Sequence, residues 1–167
     1  ASSRNATNAA GSTPAAHVLI VGLGNVLVMD DGVGVHAARA LQADPPPGST
    51  VVEVGTAVLD ALPLLEEAEL VIAIDAIHGG AAPGTIYRVD PTQLDDRVTG
   101  ASLHELDLRA ALRLLPPARR PTVIALGVEP ACLDYGMELS PVVQAALPAL
   151  LDEVRRIAAH RLGRDRV

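Results

Sequence analysis

The sequence predicts a single three-layer α/β/α domain built on a mostly parallel sheet of about five strands, with one antiparallel edge strand. Three observations carry this reading. Strand-like and helix-like segments alternate along the chain, as doubly wound folds require. Leu70-Val71-Ile72-Ala73-Ile74-Asp75-Ala76 is apolar without alternation, the mark of a central strand covered on both faces. Hydrophobic residues make up 49% of the 167 residues, yet Phe and Trp are absent, so the core is aliphatic and suits helices packed closely on a sheet.

Each element has its own justification. Val18-Leu19-Ile20-Val21 is a β-branched strand that ends in the turn Gly22-Leu23-Gly24-Asn25. Two adjacent carboxylates, Asp30 and Asp31, follow, and an Ala-rich helix is expected over Val35 to Leu41. Ala43-Asp44-Pro45-Pro46-Pro47-Gly48 ends it, because no helix continues through that run. A short strand over Val51 to Val54 leads to Gly55-Thr56, and a helix over Val58 to Glu67 places Leu59, Leu62 and Leu65 on one side. After the central strand comes the Gly/Pro loop Ile77 to Gly84, and Thr85 to Val89 returns as the antiparallel edge. Asp90 to Gly100 is polar and reads as a loop near the site. Ser102 and Glu105 match a capping box for a helix to about Leu115, with His104 in its first turn. Thr122 to Val128 is the last strand, and Ser140-Pro141 opens the last helix, which Pro148 is expected to bend or shorten.

Composition narrows the function. The net charge is −7 and all 13 basic residues are Arg. No basic stripe or aromatic platform is available for nucleic acid, and the absence of Lys excludes a Walker loop and Schiff-base chemistry. The single cysteine, Cys132, excludes an internal disulfide and a thiolate zinc cluster, which fits a reducing cytosol. Residues 1–16 lack an apolar run and read as a flexible tail rather than a secretory signal, with residues 17–163 as the domain and 164–167 as a C-terminal tail. No apolar stretch approaches the roughly 20 residues of a membrane span.

Gly22 and Gly24 begin like a dinucleotide-binding turn, but the sixth position is Leu27 and the helix starts behind two carboxylates that repel phosphate. A nucleotide is not expected. Asp31 after the first strand, Asp75 at the end of the third and His104 at a helix start all reach the C-terminal edge of a doubly wound sheet. Two carboxylates and an imidazole there suit a divalent ion such as nickel or zinc. Each residue also has a plain structural reading, as a helix cap, a turn hydrogen bond or a polar helix start. His78 is a rival ligand, while His17, His36 and His160 lack carboxylate motifs. His104-Glu105 is not a metalloprotease pair, since Leu108 stands four residues on, and no Gly-x-Ser-x-Gly elbow exists. Cys132 as a nucleophile needs a neighbouring histidine, and a buried or loop thiol is the simpler reading.

The motif Gly-x-Gly-Asn-x-Leu-x-x-Asp-Asp-Gly-x-Gly resembles the signature of the hydrogenase maturation endopeptidases. The similarity continues through Gly55-Thr56, Val71 to Ala76, Pro83-Gly84-Thr85, Ser102 to Leu106, Gly127 to Pro130 and Leu139-Ser140-Pro141, covering residues 17–160. It implies removal of a C-terminal extension from a nickel-iron hydrogenase large-subunit precursor after nickel insertion. It places the metal ligands on Asp31, Asp75 and His104, with the nickel supplied by the precursor. It also implies a cytoplasmic monomer that meets its protein substrate transiently. Glu53-Val54-Gly55-Thr56-Ala57 departs from the family, in which Asp-Gly commonly precedes Gly-Thr, and this bears on which large subunit is recognised. A non-cleaving nickel chaperone or sensor, and a small-molecule hydrolase with its own metal, are the alternatives on the same ligands.

Overall fold

In a computed structural model, residues 17–90 and 103–164 are described. Five strands, β1 (Val18–Leu23), β2 (Ser49–Gly55), β3 (Leu70–Ala76), β4 (Ile86–Val89) and β5 (Thr122–Val128), form one sheet. The helices are α1 (Val33–Ala43), α2 (Leu62–Glu67), α3 (Leu103–Leu114) and α4 (Pro141–Arg164). The strand order is β2-β1-β3-β5-β4, with all neighbours parallel except β4, which pairs antiparallel with β5 at the edge. The expected α/β/α architecture is therefore present, with its single antiparallel edge. Readings that fell on residues 1–16, 91–102 and 165–167, including the Ser102 cap, lie outside the described residues.

Side chains alternate across the pleat and build two cores. Val18 and Ile20 of β1 with Leu70, Ile72 and Ile74 of β3 pack under α1 and α4, against Leu41, Val143, Leu150 and Val154. Leu19, Val21 and Leu23 with Val71 and Ala73 pack on the opposite face with Leu65 of α2 and with Leu108 and Ala111 of α3. Asp75 is in phase with Val71 and Ala73, so the strand turns its carboxylate toward the face that α3 covers. Backbone contact sets α1 close against the sheet. A methyl group on Gly34 would stand 2.0 Å from the Ile74 carbonyl oxygen and 2.4 Å from that of Leu23.

Two expectations change. The segment after β2 is a 3-10 turn, Val58–Ala61, followed by α2, rather than one helix. Pro63 explains the break, because it lacks the amide an earlier helical turn would use and is tolerated only in the first turn of α2. The tighter turn buries Val58 and Ala61, three residues apart, and leaves Leu59 exposed instead of inward. Helix α4 runs unbroken through Pro148, neither ended nor shortened there. The buried side chains of Val143, Leu150, Val154 and Ile157 on both sides of the proline hold it against the sheet and offset the lost hydrogen bond.

Candidate metal centre

The chain leaves β1, crosses to β2 on one side, then returns to place β3 on the other. The carboxyl ends of β1 and β3 are thus the switch point, where open α/β sheets leave a crevice. Asp31 sits there on the 3-10 turn Met29–Gly32 that links β1 to α1. Its Oδ2 accepts the Asn25 amide at 2.8 Å and stands 3.2 Å from His104 Nε2. Asp75 is 4% exposed at the end of β3, with Oδ1 accepting the Ala76 amide at 2.8 Å. His104 enters from the first turn of α3. Gly24 makes the convergence possible: its φ is +115°, and a methyl group there would lie 1.8 Å from the Asp31 carbonyl oxygen and 3.5 Å from Asp75 Oδ1.

The structure brings Asp31, Asp75 and His104 together, each offering a ligand atom within 4.8 Å of the others. Donors about 2.0–2.2 Å from one divalent ion stand no more than about 4.4 Å apart, so small side-chain movements close the set around a single ion. Two oxygens and one imidazole nitrogen, with sides left open, match the chemistry of nickel or zinc. The hydrogen bond that His104 donates to Asp31 raises the imidazole pKa against the opposing effect of burial, and the charge of Asp75 adds to it. Burial pushes Asp31 up, but the hydrogen bonds of His104 and the Asn25 amide outweigh it, and the carboxyl lies below its ordinary value. Both shifts favour the protonated imidazole paired with the ionised carboxylate.

His78 lies outside that set, on the exposed loop after β3, although its charge reaches Asp31. His17 bonds Thr50 Oγ1 at 2.9 Å, His36 bonds the Met137 carbonyl at 3.2 Å, and His160 lines a cavity with Arg88, Arg156 and Arg161 at the other end of the sheet. Cys132 is half-buried, and its Sγ contacts Met29 Sδ at 3.4 Å and Asp134 Oδ2 at 3.3 Å, not a histidine.

Two further carboxylates, Asp30 and Glu129, frame the site in roles that the sequence reading does not include. Asp30 is fully buried and accepts four hydrogen bonds, from the amides of Ala131, Cys132 and Ser140 and from the Ser140 hydroxyl. Burial alone would raise its pKa, but these bonds outweigh it and the net shift is downward. Asp30 thus staples the loop 131–140 beneath the turn that presents Asp31. Glu129, also buried, accepts the amides of Gly79 and Gly80 at 2.7 and 3.0 Å and the hydroxyl of Tyr87, which holds the loop carrying His78. The Asp-Asp doublet was a signal for the first, since adjacent positions on a turn cannot face the same surroundings. A shallow groove of about 300 Å³ between Asn25 and Thr56 flanks the site, and there Glu53 is tied to Arg39 at 2.9 Å.

A family model described as hydrogenase maturation protease matches residues 35–157. The hydrogenase expression/formation protein HupD of Rhodobacter capsulatus is 36% identical over 157 residues, spanning 85% of this chain and 71% of its own length. The hydrogenase maturating endopeptidase HybD from E. coli superposes with a TM-score of 0.71 at 28% identity, over 83% of this chain and 89% of that one. The NiFe hydrogenase maturation protease HybD from Thermococcus kodakarensis superposes with a TM-score of 0.73 at 29% identity, over 85% of this chain and 99% of that one. A match across most of the chain, joined to these relatives, places it by descent as well as by shape: the chain belongs to the hydrogenase maturation protease family.

Proposed function

We propose that this protein is an endopeptidase that removes the C-terminal extension of a nickel-iron hydrogenase large-subunit precursor once nickel has been inserted. Nickel is part of the substrate in this reading, and Asp31, Asp75 and His104 are the groups that receive it. The observation that carries the proposal is their convergence within 4.8 Å at the switch point. Coordinated there, nickel supplies either a fixed anchor for the scissile bond or a Lewis acid for its carbonyl.

The chain's own residues then have separate tasks. Asp75, almost wholly buried, is held by the Ala76 amide and gives a fixed oxygen. His104 exchanges its Asp31 hydrogen bond for the metal. Asp31, the more exposed carboxylate, is the group we assign to take the proton of the attacking water. No nucleotide has a part, because the carboxylates occupy the place where a phosphate would sit. The protein works in the cytoplasm, as a monomer.

Mass spectrometry of nickel-loaded and nickel-free precursor, each incubated with the protein and with Asp75→Asn, tests this. Loss of a defined C-terminal peptide from the loaded precursor alone, abolished by the substitution, is the expected result. Nickel-dependent binding without cleavage would establish a chaperone or sensor instead. Metal retained through chelator treatment, with turnover of small esters or amides, would establish a hydrolase with its own ion.

A further inference from the structure

We infer that the loop 131–139, together with Leu27, is the surface that docks the body of the protein substrate, through an apolar segment of the precursor flanked by arginine or lysine. The inference rests on the proposed reaction and adds where the precursor is held.

The chain has two tyrosines and no Phe or Trp, yet Tyr135 is 95% exposed. Met137 is 62% exposed, Leu27 is 55% exposed, and Leu133 is exposed as well. Backbone pairing joins the segments that carry Leu27, Tyr135 and Met137. The Gly136 amide donates to the Leu27 carbonyl at 3.0 Å, and the Met29 amide donates to the Gly136 carbonyl at 2.8 Å, so Tyr135 and Met137 flank a residue paired to the Leu27 turn. Exposed aromatic, Met and Leu side chains clustered in this way mark a contact surface, and Tyr is a frequent anchor of binding energy.

The platform is also rigid, which an unused surface loop need not be. Asp30 clamps it from below with four hydrogen bonds, and His36 of α1 bonds the Met137 carbonyl. Met29 adopts a φ of +40°, a left-handed conformation that is unfavourable at a residue with a side chain and that its bond to Gly136 maintains. Holding Tyr135 and Met137 in place before contact reduces the entropy lost on binding.

Continuity with the metal centre names the occupant. Asp31 accepts the Asn25 amide, and the Asn25 side-chain oxygen accepts the Leu27 amide at 3.0 Å, so the patch begins two residues from a group bonded to a ligand. The patch therefore borders the place where a protein would present nickel to Asp31. The exposed acids on this loop are Asp134 and Glu138, and the segment from Glu129 to Ser140 contains no basic residue. An acidic rim around an apolar centre selects a partner with basic residues beside its apolar ones.

The test measures steady-state cleavage of nickel-loaded precursor by the full chain, by Tyr135→Asp and Met137→Asp, and by Leu114→Asp as a control. Leu114 is equally apolar and exposed but lies about 15 Å along α3 from His104. Both patch variants should keep the wild-type melting temperature, raise KM at least tenfold and change kcat less than twofold, while Leu114→Asp behaves as wild type. Wild-type KM in both patch variants overturns the inference and leaves the proposed reaction standing. A wild-type dimer that Tyr135→Asp dissociates, with KM unchanged, assigns the patch to a second copy and also overturns it. Failure of the wild-type chain to cleave the loaded precursor refutes the proposed reaction itself, and the docking surface with it.

Discussion

Asp30 and Asp31 are neighbours with opposite work, and replacing each by Asn separates them. In Asp30, Oδ2 accepts the Ala131 amide at 2.8 Å, the Cys132 amide at 2.9 Å and the Ser140 hydroxyl at 2.8 Å, while Oδ1 accepts the Ser140 amide at 2.7 Å. An asparagine of the same shape keeps most of this only by placing its carbonyl oxygen at the Oδ2 position. Its NH₂ then faces the Ser140 amide, donor against donor, and a buried donor left unpaired costs about 1–3 kcal/mol. The three surviving bonds fall from charge-assisted to neutral, a loss of about 1 kcal/mol each. Relief of the buried charge does not cancel this, because a carboxyl held below its ordinary pKa is better stabilised as an anion here than in water.

The sum, reduced for relaxation, is about 3–5 kcal/mol against a domain stability of about 5–15 kcal/mol. At about 2–4 °C per kcal/mol for a chain of this length, Tm should fall by roughly 10 °C. Urea unfolding and calorimetry measure it. Asp31→Asn weakens two part-buried bonds, from the Asn25 amide at 2.8 Å and with His104 at 3.2 Å, and should cost about 1–2 kcal/mol, less than Asp30→Asn, while removing a carboxylate from the candidate metal centre. A change under about 0.5 kcal/mol for Asp30→Asn, or a larger loss for Asp31→Asn than for Asp30→Asn, would refute the assignment of a structural and a functional carboxylate.

Three further outcomes follow from the same geometry. His104→Gln and Asp75→Asn should each weaken nickel binding to the isolated protein at least tenfold in calorimetric titration, with unchanged far-ultraviolet circular dichroism; undiminished affinity would remove that residue from the ligand set. Gly34→Ala should cost more than about 3 kcal/mol or prevent soluble expression, since the added methyl meets the Ile74 and Leu23 carbonyls at 2.0 and 2.4 Å; a melting temperature equal to wild type would disprove the close packing of α1. Glu129 is pushed up by burial and pulled further down by the Tyr87, Gly79 and Gly80 hydrogen bonds, so its folded pKa is depressed. Its contribution is present above the ordinary glutamate value of about 4.3 and is lost as pH falls through the depressed value. The Gly79 and Gly80 amide resonances should therefore shift in one step below about pH 4.3, and a step at higher pH, or its persistence in Glu129→Gln, would contradict this.

What was legible in the sequence was whatever depends on local period or on strand ends. The run Leu70 to Ala76 announced both a central strand and the carboxylate at its end, and β3 has those bounds. Strand-helix alternation then gives a doubly wound sheet as the class, whereas the order β2-β1-β3-β5-β4 and the switch point it creates are read from the structure. The roles that no local pattern shows are those of residues whose partners are remote in sequence. Asp30 meets groups 101 to 110 residues away, and Glu129 meets groups 42 to 50 residues away. No period in the chain encodes such pairings. They exist because loops at one edge of a sheet are brought together by strands that are not consecutive, and every buried amide there needs an acceptor. The site is therefore two structures with different readability. The groups proposed to react stand at strand and helix ends, where position alone suggests chemistry, whereas the carboxylates that hold those ends in place become visible only when the loops of distant segments meet.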